Sequence, residues 1–216
     1  MLHSLAMRSL VSVGALLALV IAWIWPLGGA ARDLLAVHML QHIVAMNVGA
    51  LLLAVAWCPR AARAGPLPLL VAAVLQLSAL GLWHLPAVFA MLHHSPALRA
   101  VMHGSLFVAA LLFWCCVVGR PIRHAWQTIF ALLVTAKMFC LLGAVLAFSR
   151  TPLFALHGTP ERWGLSALED QQLAGLLMIG SCAAVYVAAA VVLFVKWLVA
   201  MAAPSKWMPA DAVAAE

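Results

Sequence analysis

The amino-acid sequence predicts an all-α, polytopic integral membrane bundle of about six transmembrane helices, with both termini on the cytoplasmic side. Three observations carry that expectation. The 216 residues are 67% hydrophobic and only 8% charged, and the mean hydropathy is +1.12. Six apolar runs reach the ~18 residues that a helix needs to cross a hydrocarbon layer. None of them alternates with a period of two as a membrane strand would, which leaves helices as the spanning structure.

In chain order the runs cover about 9–27, 34–57, 67–92, 98–118, 125–149 and 172–199, a single transmembrane domain over 1–216 with no length left for a soluble one. The first, MLHSLAMRSLVSVGALLALVIAWIWPLGGAAR, shares Arg8, an apolar stretch and a small-residue exit with signal peptides. Its apolar stretch exceeds their usual ~7–15 residues and ends on Trp23 and Trp25, an interfacial anchor, so a retained helix is expected. The second run contains HMLQH, residues 38–42. The third carries Trp83-His84-Leu85-Pro86, where proline removes a helix hydrogen bond and can kink the segment. The fourth has His103 about one turn after its start. The fifth holds Lys137 near its middle, to be paired with a buried acceptor or to snorkel. The sixth opens on Asp170-Gln171-Gln172.

The formal net charge is +6, but the basic residues stand singly or in pairs at helix ends. That is a topology signal and not a phosphate-tracking patch, so no nucleic-acid partner is expected; the partner common to all six runs is the lipid bilayer. With six spans, one side carries Arg8, Arg60, Arg63, Arg120, Arg123, Lys196 and Lys206. The other carries Arg32, Arg99, Arg150 and Arg162, offset by Asp33, Glu161, Glu169 and Asp170. The positive-inside rule then puts the termini in the cytoplasm. The five cysteines (Cys58, Cys115, Cys116, Cys140 and Cys182) form no C-x-x-C and are expected to be apolar packing residues without a disulfide framework.

This topology places His38, His42, His84 and His103 in one leaflet, the outer one, at 1.5 Å of rise per residue. Intramembrane ionisable residues are costly and face a bundle interior where they find partners. Residues i and i+4 share a helix face, so both rings of HMLQH point to one place. Neutral imidazole ligates copper, zinc and iron, and Met39, Met46, Met91, Met102 and Met178 lie at similar depth. Imidazoles with soft thioethers suit Cu(I) better than zinc or magnesium. The blander alternatives are histidines as interhelical glue and methionines as pliable filling. Asp170 is either a helix-start cap, a metal ligand, or a carboxylate that orients an imidazole. His93 and His94, in the loop beyond the third run, can gather metal on its way in.

No phosphate loop, HExxH or GxSxG is present, which removes the hydrolase and nucleotide-binding readings. A di-iron desaturase would need an HxxHH box, and Ala90 stands where its first histidine belongs. A b-type cytochrome remains an alternative, with pairs of these histidines as axial ligands to haem b.

The order HMLQH, then LWHLPAVF around His84, then His103 ahead of an apolar run ending LFW at Trp114, then EDQQLAGLLM, resembles the membrane-integral CtaG family of cytochrome c oxidase assembly factors. That family was first associated with caa3-type oxidases and differs from the single-span copper chaperone that shares its name. The resemblance runs from about Leu34 to Leu198. It implies a multi-pass bacterial inner-membrane protein that is no enzyme and helps mature haem–copper oxidase at the copper-delivery step. Oxidase subunits and a periplasmic copper donor would be its partners. The family's histidines map onto His38, His42, His84 and His103, and its acidic-amide pair onto Asp170-Gln171. Ile179-Gly180-Ser181-Cys182 departs from the family's Trp and Pro-Gly turn, and AWCPR from its Gly-Pro exit, while the histidine set is intact. The expected metal site is thus His42, His84 and His103, with His38 as a fourth ligand or gate, Met46 or Met178 as soft accessory ligands, and Asp170 nearby. A ligand must be deprotonated, so affinity should fall below pH ~6.5.

Overall fold

A computed structural model describes residues 2–24, 30, 33–58, 66–92, 95–154 and 160–202. Every regular element among them is helical. The long elements are α1 (Leu2–Trp23), α2 (Leu35–Trp57), α3 (Pro66–Trp83), α4 (Pro86–Leu92), α5 (Pro96–Gly119), α6 (Ala125–Phe148) and α7 (Ala167–Ala202). Five of these are long and apolar enough to cross a membrane alone. α3 and α4 reach that length only together, as a pair bent by 74°, so the spans number five, or six with the bent pair taken as one.

The break has a backbone cause. Pro86 offers no N–H and its ring collides with the carbonyl one turn back, that of Leu82. The Leu82 carbonyl accepts instead from the Leu85 amide at 3.2 Å, while His84 N–H still reaches the Leu80 carbonyl at 3.2 Å. A new helix starts when the Phe89 amide bonds the Leu85 carbonyl at 2.8 Å. The kink expected at Trp83-His84-Leu85-Pro86 is therefore present, with His84 inside it.

Two starts come earlier than hydropathy places them, because polar residues cap them. Ser95 accepts from the Leu98 amide at 3.1 Å, with Pro96 as the first helical residue of α5. Ser166 and Glu169 form a capping box at the start of α7.

α2 is the central helix. Over half of its apolar window (56%) is buried, against 17% for α1, and it packs on α1, α5 and α7. It is not uniform: Val44–Gly49 form a π turn, a widening that inserts a residue and frees backbone groups. The Met46 carbonyl within it accepts from the Trp114 indole of α5 at 3.0 Å. A second π turn, Ala183–Val187, interrupts α7 and holds Tyr186, whose hydroxyl accepts from the Gln76 amide of α3 at 2.6 Å.

At one end of the bundle α7 ties two other helices down. Asp170 is fully buried, and its carboxylate accepts from the amides of Leu35 at 2.6 Å and Ala36 at 3.0 Å. Leu34 provides no side-chain cap for α2, so a carboxylate from another helix caps it. Gln171 accepts from the Leu153 amide at 2.6 Å and donates to the Leu146 carbonyl at 3.3 Å, holding the end of α6. These reaches need α6 and α7 close together. A Cβ at Gly175 would lie 2.6 Å from the Ala147 nitrogen and would also collide with the Gly143 carbonyl.

One sequence expectation is corrected. Cys58, at the end of α2, and Cys115, near the end of α5, form a disulfide, with Cα atoms 5.2 Å apart. Spacing along the chain gave no sign of it, because 57 residues separate the pair and only the parallel packing of α2 and α5, which brings their ends together, joins them. Cys116, Cys140 and Cys182 are free thiols. Lys137 has no buried acceptor among the described residues and lies exposed on α6.

Two outcomes follow from this arrangement. Alkylation of the unfolded, unreduced protein should add three labels and, after reduction, five; five labels without reduction would refute the pairing. Asp170→Ala leaves two buried amides without an acceptor and should cost about 1–3 kcal/mol, read as a lower unfolding midpoint in detergent. Unaltered stability would mean the cap is dispensable.

Candidate metal site

α2 emerges from its Asp170 cap and reaches His38 within one turn and His42 within two. Both side chains are buried. Their Nε2 atoms are 3.0 Å apart, so one ring donates to the other. His103 of α5 completes the group: its ring centroid lies 5.9 Å from that of His38 and 5.0 Å from that of His42. One ligating nitrogen from each of the three can be chosen so that all lie within 4.8 Å of one another. Two nitrogens on a single ion at about 2.0–2.1 Å each are at most ~4.2 Å apart. A contraction of roughly 0.6 Å or less, within reach of small side-chain rotations, closes the triad on an ion.

The hydrogen bonding fixes which nitrogens are available. His103 Nδ1 donates to the Arg99 carbonyl at 2.8 Å, which leaves Nε2 as the bare, lone-pair atom. That Nε2 is buried and has no hydrogen-bond partner among the described residues. A buried polar atom without a partner is uncommon and calls for an explanation; an ion among the three rings supplies one. Carbonyl bonding through the far nitrogen is also how ligating histidines are commonly oriented.

His84 has the same arrangement one step away. Its Nδ1 donates to the Leu80 carbonyl at 2.7 Å, and its Nε2 faces Met39 Sδ at 3.3 Å. The ring centroid is 6.0 Å from that of His42. A cavity of about 20 Å3 lies here, lined by Met39, His42, Met46, His84, Met178 and Cys182, among others. The site therefore has two parts that share His42: an all-nitrogen triad and a sulfur-rich pocket.

The grouping differs in detail from the one expected. His38 takes the place in the triad expected for His84, because the break after Trp83 sets His84 against Met39. Met46 and Met178 line the pocket and not the triad. Asp170 lies one turn above His38, with both oxygens committed to backbone amides, so it holds α2 and faces no imidazole. Met91 points outward. His93 and His94 lie outside the described residues.

Met39 stands three residues before His42 and seven before Met46, and this helical stripe is the signal in the sequence for its place in the pocket. Gln41, the remaining polar residue of HMLQH, donates to the Ala22 carbonyl of α1 at 2.7 Å. Two aromatic rings wall the triad: Phe89 of α4 against His38 at 5.3 Å, and Trp23 of α1 against His103 at 6.3 Å. Trp23, expected as an interfacial anchor, is thus half-buried at the site.

Comparison with curated proteins and with solved structures found no match. The family model described as cytochrome c oxidase caa3 assembly factor (Caa3_CtaG) matches residues 5–200. That stretch contains the four clustered histidines, the bent α3–α4 pair and the Asp170-Gln171 pair, and the chain belongs to this family of cytochrome c oxidase assembly factors.

Proposed function

We propose that this assembly factor binds copper at His38, His42 and His103 and passes it to a subunit of the oxidase during maturation. The buried, unpartnered Nε2 of His103, aimed at two more imidazoles, is the observation that carries this reading. On this view copper is cargo, received from a donor on the side the sequence reads as periplasmic, in a bacterial inner membrane. The protein acts without catalysing a reaction.

The donor set supports the choice of metal. Three neutral imidazoles beside thioethers favour Cu(I) over zinc, magnesium or calcium. With the Asp170 carboxylate committed to α2, no anionic oxygen faces the triad among the described residues. The space also favours an ion over haem b: the four rings approach one another at 4.6–6.0 Å, and the adjoining cavity of about 20 Å3 is far smaller than a macrocycle. Ligation requires both His38 and His42 to present bare Nε2 atoms, so the proton now shared between them moves to the donor's Nδ1.

Elemental analysis and one absorbance spectrum of purified, copper-loaded protein test the proposal. Stoichiometric copper with no Soret band is expected, and a Soret band would favour a cytochrome instead. His42→Ala, which removes the ring common to both parts of the site, should abolish stoichiometric copper. Full copper retention in that variant would refute the assignment. Binding should also weaken on acidification, as imidazole takes up a proton in preference to a metal; affinity unchanged down to the pH at which the protein unfolds would speak against histidine ligation.

A further inference from the structure

Lys137 lies at the centre of α6, eleven or twelve residues from either end, so roughly 17 Å of helix separates it from each membrane surface. It is exposed on the outside of the bundle. No hydrogen bond or ion pair holds it among the described residues. Its four-carbon stem covers only a fraction of the distance to either surface, so snorkelling does not bring the ammonium to water. An uncompensated charge at that depth is costly and marks a functional contact.

The surroundings form a surface for another helix. Phe130, Val134, Lys137 and Leu141 recur at three- and four-residue steps and are all exposed, a stripe along one face of α6. Next to its first half, a groove of about 270 Å3 opens between α3 and α6, lined by Leu69, Leu70, Ala73, Phe130 and Val134 among others. An apolar side chain of a passing helix would fill it.

The charge identifies the occupant. A second copy of this chain cannot neutralise Lys137, because the six acidic residues are Asp33, Glu161, Glu169, Asp170, Asp211 and Glu216, none in the apolar interior of a span. We infer that the Lys137 face of α6 docks a transmembrane helix of a different membrane protein, one that carries a carboxylate near mid-depth. The ion pair gives the contact its register along the membrane normal, and the apolar stripe gives it area. This surface is independent of the metal site and would stand if no copper were bound.

A photocrosslinking residue placed at Leu141 in the full chain, in its native membrane, tests the inference. The expected crosslink is to a transmembrane segment containing Asp or Glu in its apolar stretch. Lys137→Arg should retain it, whereas Lys137→Met and Lys137→Glu should lower it about tenfold, the scale of a polar pair between membrane helices. Methionine is the better lipid-facing residue, so loss in Lys137→Met cannot be laid to misfolding. Exchanging the partner's carboxylate for lysine should restore the crosslink to Lys137→Glu. Crosslinks only to lipid or to a second copy, undiminished yield in Lys137→Met, or no rescue by the exchanged charge would each overturn the proposal.

Discussion

Two amide hydrogen bonds to one carboxylate set the geometry of this protein. Leu35 and Ala36 donate to Asp170, and α2 begins there and nowhere else. Leu35 and Ala36 are buried among neighbouring helices, where water does not reach their free amides, so the cap is structurally demanded. The negative charge also meets the positive end of the α2 dipole and lies in the first turn of α7, where that helix's dipole favours it too. Once the start of α2 is fixed, the depth of HMLQH follows at 1.5 Å per residue. The close α6–α7 contact at Gly143 and Gly175 lets Asp170 sit where it does, and Gln171 continues the same clamp to α6.

The site below the cap combines two ligand chemistries with no negative charge turned toward it. Neutral imidazoles and thioethers leave most of a cation's charge uncompensated, which penalises a divalent ion in a low-dielectric interior more than a monovalent one. Such a site would select by softness and charge, and would hold an ion less tightly than thiolates do. In the proposed role, in which copper is cargo to be handed on, that moderation is what delivery would require. His42, common to the triad and the sulfur pocket, would let a bound ion exchange ligands between them without becoming bare. The π turn just after it supports this: the widened turn directs Met46 and Asn47 toward the pocket, and Trp114 ties down its freed carbonyl.

Much of this was legible in the sequence, and the limits are physical. Hydropathy located the long apolar helices because lipid imposes length and composition directly. The shared depth of His38, His42, His84 and His103 followed from counting residues from helix ends, and Pro86 announced the break that holds His84. Caps moved the starts of α5 and α7, since Ser95 and Ser166 carry a helix into polar sequence that hydropathy scores as loop. What could not be read was rotation about helix axes. That rotation decides that His38 joins the triad while His84 faces Met39, that Asp170 turns to α2, and that Cys58 meets Cys115. Rotation is fixed by packing between helices far apart in sequence, and π turns, which have no composition signature, alter it midway.

The claim at the centre of the account is that three imidazoles, from a capped α2 and from α5, surround one ion. X-ray absorption at the copper edge of the Cu(I)-loaded full chain tests it most directly. The account predicts a first shell dominated by nitrogen with the outer-shell scattering of imidazole rings, lost when His103 is replaced by alanine. A first shell of sulfur alone, or imidazole scattering unchanged in His103→Ala, would contradict it.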